Sequence, residues 1–359
     1  MEKLDIARLR LQAQQISTHS LTSPGDVVSW LGAMQAQDYP GAKWAIALRL
    51  PNTTEAEVEQ AIAHGSIVRT WPMRHTLHFV APADIRWMLD LLAPRVIAAA
   101  AGRRRNLHLD DEVLEQSRRL IVDALQGGKC LTRSELYAIL DAGNIATAAQ
   151  RGIHIFSYFC LNKLLCFGPR SEKQPTFVLL DEWIPPAAPL ERDQALTELA
   201  VRYFSSHGPA QVVDFVWWSG LKVSDARQAI ELTGTRLSRL TVEGQDYWMD
   251  PKLTTPPRAS SNAYLLPGFD EFMLGYRDRT AALPIIHNQS INPGANGMFA
   301  GTIVIDGQVE GTWRRTIKSG AISISLSPFK PLTKSQLSAI STAVESYGAF
   351  MYMPVNLLN

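Results

Sequence analysis

The sequence predicts an α+β protein built from three tandem winged-helix motifs and a C-terminal β-rich module. Three times along the chain, segments with helical periodicity are followed by two short β-rich runs around a turn, which is the element order of a winged helix. The last hundred residues change character and carry a strong hairpin signal at Asp306-Gly307. The predicted segments are 1–101, 102–188 and 189–258 for the winged helices, and 259–359 for the β-rich module with its final helix.

The first motif has its helices before its hairpin. Pro24 suits the first turn of a helix, where its missing N–H would have no partner anyway. The β-branched and aromatic residues that flank Pro72 predict two strands around that proline. The expected helices are 4–16, one starting at Ser23-Pro24, 56–64 and, after the strands 66–71 and 74–80, a fourth over 82–101.

The second and third motifs repeat this order. Thr132 and Glu135 have the spacing of a capping box and predict a helix start. The second motif comprises helices 112–125, 133–141 and 147–162, the last a candidate recognition helix, and strands 164–168 and 176–180. The third comprises helices 191–206, 211–218 and 223–232 and strands 237–242 and 245–249. Beyond a predicted linker at 251–261 we expect a hairpin within 301–313, a strand at 321–326 and a helix at 333–346.

Composition limits the class of protein. The 359 residues are 46% hydrophobic, enough for a substantial core, and 35 basic residues almost balance 34 acidic ones. Any nucleic-acid surface must therefore be local, because the protein has no strong net charge. Cys130, Cys160 and Cys166 lack metal-ligand spacing, and Gly127-Gly128-Lys129 lacks the frame of a phosphate-binding loop, so no metal or cofactor is expected. The N-terminus has no apolar signal segment, and we expect a cytoplasmic protein.

Two glutamines, Gln35 and Gln37, form a Gln-x-Gln pair before Tyr39-Pro40-Gly41. The Pro-Gly pair is expected to end any helix here, which places both amides at a helix end or in the loop that follows. An amide offers an acceptor oxygen and two N–H donors, but it does not titrate. It can hold a water molecule or line a charged intermediate, and it cannot act as a general acid. From spacing alone, two polar residues at a helix end are the more common explanation of such a pair.

Three blocks of sequence, in a fixed order, resemble the winged-helix HTH_42 family, whose characterised members are the AlkZ and YcaQ DNA glycosylases. The resemblance runs over nearly the whole chain. Members similar to YcaQ carry Gln-x-Asp at the motif, so Gln37 places this chain on the AlkZ-like side. The blocks are 35–38 with 42–50, 69–78, and 265–270 with 275–279.

The resemblance implies a monofunctional DNA glycosylase that hydrolyses the N-glycosidic bond of N7-alkylated purines, with interstrand crosslinks and bulky antibiotic adducts as further substrates to consider. It implies that Gln35 and Gln37 are catalytic. Asp38 lies outside this matched pair and is a candidate support, as a general base. The expected partner is double-stranded DNA carrying an alkylated purine, bound by a monomer within the nucleoid. The leading alternative is a non-catalytic winged-helix DNA-binding protein such as a transcription regulator, because three winged helices fit that role as well. A second alternative is a structural or protein-binding role, for which winged helices are often reused.

The candidate DNA contacts are basic residues in or near the predicted wings and in the C-terminal module. Arginine suits backbone phosphates, and an aromatic ring can stack on a displaced base. Each set also has an ordinary structural explanation, namely an exposed polar strand, a solvated helix end or a salt bridge, and Trp217-Trp218 is expected to be core. The candidates are Arg69, Arg74, His78, Arg103, Arg104, Arg105, Arg277, Arg279, Arg314 and Arg315, with Trp71 and Thr76 as support.

Overall fold

The computed structural model describes residues 2–253, 259–294 and 297–358, and it confirms the predicted α+β class. The chain forms two compact units, Met1–Glu59 with Leu196–Asn359, and Gln60–Ala195. The four sequence segments derived from motif order stay a prediction. Of the predicted linker, residues 254–258 lie outside the described residues, and those on either side of them have neither helix nor strand.

The first unit opens with helices whose starts follow local sequence chemistry. Ser23 accepts the backbone N–H of Asp26, and Pro24 lies in the first turn of the second helix, as predicted. Pro40 also lies in a first turn, so the expectation that Pro40-Gly41 ends a helix is wrong: the pair begins one. The elements are α1 (Lys3–Ala13), α2 (Pro24–Leu31), β1 (Ala33–Gln35), α3 (Tyr39–Ala47) and α4 (Glu55–Ala63), the last of which contains the boundary with the second unit.

The second unit contains an antiparallel sheet with strand order β3-β2-β5-β6-β4, and α5 and α9 pack against β2. In its core the ring of Phe177 lies 4.7 Å from that of Phe156 and 4.5 Å from that of Phe167. The predicted capping box at Thr132 and Glu135 is present. The elements are β2 (Val68–Met73), β3 (Thr76–Val80), α5 (Ile85–Ala99), α6 (Ala101–Asn106), α7 (Asp111–Leu125), β4 (Leu131–Thr132), α8 (Arg133–Ala142), α9 (Arg151–Leu161), β5 (Leu165–Phe167), β6 (Thr176–Leu179) and α10 (Leu180–Trp183).

Two expectations for this unit need correction. Pro72 lies inside β2, and the turn is made by Arg74 and His75, whose φ angles of 53° and 56° suit a two-residue hairpin loop. The helix expected to end before the three arginines stops at Ala99, and the arginines lie in the separate short helix α6.

The first unit resumes with helices and then a second sheet. The sheet order is β13-β12-β11-β10-β9, antiparallel except for the parallel pair β12 and β13. Asp306 and Gly307 form the predicted hairpin turn, with φ angles of 51° and 80°. The elements are α11 (Arg192–His207), α12 (Val212–Ser219), α13 (Val223–Leu232), β7 (Ser238–Val242), β8 (Gln245–Met249), β9 (Ala263–Leu266), α14 (Glu271–Leu274), α15 (Asn288–Ile291), β10 (Gly301–Ile305), β11 (Gln308–Lys318), β12 (Ala321–Pro328), α16 (Lys334–Met351) and β13 (Val355–Leu358).

One hydrophobic core joins the two ends of the chain within the first unit. Ile6 and Leu11 of α1 pack with Leu266, Phe272 and Val304 from the C-terminal region, all of them buried. Burying this apolar surface fixes α1 against β9, β10 and α14. Residues near the N-terminus are therefore close to residues more than two hundred positions downstream. Across the described ranges, no helix is long and apolar enough to span a membrane.

Candidate active site

The Gln-x-Gln pair lies where β1 ends. Gln35 is the last residue of β1 and is half-buried, whereas Gln37 lies in the following bend and is exposed. Ala33, Met34 and Ala36 are buried, so the stretch is held by its small and apolar residues. Neither amide is at a helix end. The pair occupies a strand end and a bend immediately before α3.

The side-chain oxygen of Gln35 is buried and has no hydrogen-bond partner among the described residues. An amide acceptor removed from water without a partner costs about 1–3 kcal/mol of stability. Such orphaned acceptors are uncommon and call for a functional explanation. The backbone N–H of Gln35 is paired: it donates to Oε1 of Glu271 at 2.9 Å.

Glu271 is a site residue that sequence reasoning missed. Its carboxyl group is buried, and Oε2 accepts the indole N–H of Trp218 at 3.1 Å and lies 3.4 Å from Nε2 of His207. The His207 ring stacks on Tyr203 at 4.8 Å between centroids. The only sequence signal is an acidic residue inside the apolar run of α14, because a buried carboxyl group requires partners.

Asp38 and Lys43 flank the motif on its C-terminal side. Asp38 is partly exposed and packs on Gly41, where an added Cβ would fall 2.4 Å from Oδ2 of Asp38. Gly41 is therefore needed for this approach. Lys43 is buried, and its Nζ lies 2.5 Å from a carboxylate oxygen of both Glu55 and Glu59. Its amine is engaged in an ion-pair cluster with both glutamates.

The β2–β3 hairpin contains both core residues and basic residues. His78 is fully buried, its Nδ1 donates to the carbonyl of Thr76 at 2.9 Å, and its Nε2 is 3.3 Å from Nη2 of Arg74. Trp71 is also buried, with its ring 5.2 Å from that of Phe167. The expectation that His78 contacts DNA and that Trp71 stacks on a base does not agree with this burial, because both side chains are part of the core.

The remaining basic residues of this hairpin are accessible in part. Arg69 and Arg74 are half-buried, and the guanidinium of Arg69 lies 4.9 Å from the centre of the Phe167 ring. Thr76, a predicted support, is half-buried, with its backbone carbonyl used by His78.

A basic cluster, which we call the α6 cluster, forms within the second unit. It comprises Arg103, Arg104, Arg105, His75 and His154. Arg103 and Arg105 are exposed, and Arg104 is half-buried. Burial lowers the pKa of His75 and of His154. Nearby positive charge lowers both further, from Arg104 for His75 and from Arg103 for His154. Sequence reasoning identified the arginines, and the fold adds the two histidines to them.

Contacts within the α6 cluster leave one arginine available. Arg103 donates to the side-chain oxygen of Gln150 at 2.8 Å, and Arg104 donates to the carbonyl of Ile97 at 2.8 Å. The side chain of Arg105 is exposed and makes no hydrogen bond or ion pair within the described ranges. A solvated guanidinium of this kind is free to meet a phosphate.

The C-terminal arginines differ in exposure. Arg277 and Arg314 are exposed, whereas Arg315 donates to the hydroxyl of Tyr347. Arg279 is half-buried and donates to the carbonyl of Met273 at 2.6 Å, and burial lowers its pKa. Arg277 and Arg314 are thus the better placed of this set for phosphate.

Arg279 lies against aromatic rings. Its guanidinium is 4.9 Å from the Phe299 ring centre and 5.7 Å from that of Trp217. Trp218 is fully buried as predicted, whereas the prediction that Trp217 is core is wrong: 44% of it is exposed.

The α+β fold, with the Gln-x-Gln pair at the end of β1, agrees with the family resemblance noted in the sequence. The sequence model of the family described as DNA glycosylase AlkZ-like matches residues 28–350, and the chain belongs to that family. It is a DNA glycosylase, which confirms the predicted family and enzyme class. Within the described ranges no group of three or more His, Cys, Asp or Glu side chains could hold a metal ion.

A curated relative and a solved structure agree with this assignment. The chain is 26% identical over 332 residues to an interstrand DNA cross-link repair glycosylase of Streptomyces sahachiroi, and the match covers 85% of each chain. The solved structure of the Streptomyces sahachiroi DNA glycosylase AlkZ superposes with a TM-score of 0.82 at 22% identity, covering 100% of both chains. The second comparison shows a shared fold.

Proposed function

We propose that this glycosylase is monofunctional and hydrolyses the N-glycosidic bond of N7-alkylated purines in double-stranded DNA, with Gln35 and Gln37 as its catalytic residues. An N7-alkylated purine is already cationic, so it leaves without protonation by the enzyme. The bond between N9 and C1′ breaks with its electron pair moving to the purine, and the sugar becomes oxocarbenium-like. Water then adds at C1′ and loses its proton to solvent. The enzyme has to stabilise the cation and position the water.

The unpaired amide oxygen of Gln35 supports this proposal most directly. A buried acceptor without a protein partner is suited to accept an O–H of the attacking water or to face the cationic C1′. Gln37, exposed in the adjoining bend, supplies a second neutral amide. An amide oxygen carries a partial negative charge that stabilises a cation. The oxygen does not itself have to act as a nucleophile.

The environment of Lys43 supports hydrolysis without strand cleavage. A bifunctional glycosylase needs a neutral amine as nucleophile. Lys43, six positions after Gln37, is buried, and its amine is engaged by two carboxylates at 2.5 Å. The lysine nearest the motif in sequence is therefore unsuited to form a Schiff base.

We further propose that the enzyme acts as a monomer on nucleoid DNA and also unhooks N7-linked interstrand crosslinks. The name of the Streptomyces sahachiroi relative motivates the crosslink substrate. Hydrolysis at one adduct of a crosslink is the same reaction as at a simple adduct, so it needs no additional chemistry. Phosphate contacts would come from Arg69, Arg74, the α6 cluster, Arg277 and Arg314, which retain accessible surface.

Single-turnover assays on duplexes carrying N7-methylguanine or an N7–N7 crosslink test this proposal. Gln35→Ala and Gln37→Ala should each slow base release by about tenfold to a thousandfold, the loss of one preorganised electrostatic contact. Affinity for the duplex should change little. Gln12→Ala is the matched control, because Gln12 also has a buried side-chain oxygen without a partner in the described chain but lies on α1, outside the motif. Parent rates in both motif variants, or no base release by the unaltered enzyme, would refute the proposal.

A further inference from the structure

We propose that Glu271 is a positioning residue for catalysis, holding the Gln-x-Gln strand through its bond to the backbone of Gln35. This inference rests on the proposed catalytic role of Gln35. The bond joins positions 236 apart in the sequence at 2.9 Å. It links α14 to the last residue of β1.

Both oxygens of Glu271 are used, each by a donor that cannot act as an acceptor. Oε1 accepts the peptide N–H of Gln35, and Oε2 accepts the indole N–H of Trp218 at 3.1 Å. With 2% of the residue exposed, water does not compete for these bonds. The carboxyl group is therefore fixed in orientation by two elements at once, β1 and α12.

His207 contributes a third contact to the carboxyl group of Glu271. The hydroxyl of Ser206 donates to the carbonyl of Arg202 at 2.7 Å, so its oxygen accepts from Nδ1 of His207 at 2.8 Å. This bond fixes the orientation of the ring and places Nε2 of His207 3.4 Å from Oε2 of Glu271.

The support behind Glu271 is rigid as well. Asp270 caps α14 by accepting the N–H of Phe272 at 2.9 Å, and Asp270 is itself held by Arg49 in a buried ion pair. α14 is a single turn, so little of it can flex independently of this cap. A catalytic group displaced by about 1 Å can lose on the order of a hundredfold in rate. A fixed carboxyl group at the peptide of Gln35 prevents such a displacement.

Glu271→Gln tests the inference, because it keeps the shape of the side chain but replaces one acceptor oxygen by an NH₂ group. In either orientation of the new amide, the NH₂ group faces the N–H of Gln35 or that of Trp218 and cannot accept it. We expect the single-turnover rate to fall by about tenfold to a hundredfold while the Kd for duplex DNA stays nearly unchanged. Asp214→Asn is the matched control: Asp214 is also fully buried and accepts the backbone N–H groups of Arg277 and Asp278. It should lower the Tm without a selective loss of rate.

A double-mutant cycle with Gln35→Ala separates positioning from general stability. If Glu271 acts through Gln35, adding Glu271→Gln to Gln35→Ala should change the rate by less than about threefold. Full additivity, or a Glu271→Gln enzyme with the parent rate, overturns the inference. Should Glu271→Gln fail to fold, Trp218→Phe takes its place, because it removes the indole N–H that Glu271 accepts. The same cycle with Gln35→Ala then tests the inference, and full additivity of the two variants would again overturn it. A slow Gln35→Ala beside an unaffected Glu271→Gln would leave the proposed function standing, whereas a parent rate in Gln35→Ala would refute that function.

Discussion

Arg49 and Asp270 form a bidentate ion pair that is fully buried, although they lie 221 positions apart in the sequence. Nη1 of Arg49 is 2.8 Å from Oδ2 of Asp270, and Nη2 is 2.9 Å from Oδ1. Nη2 also donates to the side-chain oxygen of Gln14, the residue directly after α1, at 2.7 Å. The pair thus connects the segment that follows α3 with the start of α14, the helix that contains Glu271.

Breaking this pair should be costly. Asp270→Asn or Arg49→Met should each lower the free energy of unfolding by about 3–5 kcal/mol, because one charge is left buried without its partner. Urea titrations at neutral pH measure the change. The double variant Arg49→Met/Asp270→Leu should lose less than the sum. Lys330→Met is the control, since the exposed Lys330 pairs with the half-buried Glu310 at the surface. This substitution should cost no more than about 1 kcal/mol. A loss below about 1 kcal/mol in both single variants would contradict the prediction.

Base release should be almost independent of pH near neutrality. Neither Gln35 nor Gln37 titrates, and a cationic purine needs no general acid. Single-turnover rates measured from about pH 6 to pH 9 at saturating enzyme should therefore lie on a nearly flat line. A bell-shaped profile would instead assign the chemistry to a titrating group such as Asp38.

Gln37→Asp should give an active enzyme that acquires an acidic limb. The substitution recreates the Gln-x-Asp pair of the YcaQ-like members, and its carboxylate would lose charge as the pH falls toward about 4. Comparing its pH–rate profile with that of the unaltered protein, under the same saturating conditions, measures the effect. An inactive variant, or one whose profile stays flat down to that pH, would oppose the predicted role of position 37.

The arginines of the α6 cluster should contribute to the salt dependence of DNA binding. Replacing Arg103, Arg104 and Arg105 together by alanine should reduce the slope of log K against log salt by about one unit for each lost phosphate contact. Fluorescence anisotropy with an undamaged duplex at several salt concentrations provides the slope. Arg239→Ala serves as control, because that guanidinium is paired with Asp246. An unchanged slope in the triple variant would show that the cluster faces away from DNA.

The two histidines of the α6 cluster should make binding stronger in mild acid. Their pKa values are below the ordinary 6.5, so both are mostly neutral at pH 7 and gain charge only as the pH falls below that value. Protonation beside phosphate is favourable, so affinity should rise by about threefold to tenfold between pH 7 and pH 5. His75→Gln/His154→Gln should remove most of this rise. If the double variant keeps it, other groups are responsible.

Features set by local chemistry could be predicted from the sequence. The capping box at Thr132 and the turn at Asp306-Gly307 depend on residues a few positions apart, and both are present. The sequence around Pro40-Gly41 does not show whether the pair ends one helix or begins another, because a proline can lie on either side of a helix boundary. In the structure Pro40 lies in the first turn of α3, most of which is buried.

Long-range contacts could not be predicted in this way. Glu271 meets Gln35 through the tertiary fold, across 236 positions of the sequence, and no pattern within either segment indicates that the two residues are close. His78 has the alternation of an exposed strand position, yet it is fully buried. Both ring nitrogens have partners inside the protein, the carbonyl of Thr76 and the guanidinium of Arg74. These contacts offset the free-energy cost of burying a polar ring.

The hydrogen bond between Gln35 and Glu271 also affects when activity can arise while the chain is being synthesised. A nascent chain that has passed Gln37 but not yet reached Glu271 carries both amides without the carboxyl group that holds them. On the positioning role proposed for Glu271, such a chain would release bases poorly even if its N-terminal segment began to fold. Released bases leave abasic sites, which are themselves lesions. Full activity would then arise only after the ribosome has added the segment that anchors the motif, and the N-terminal segment alone would not transfer this activity to another scaffold.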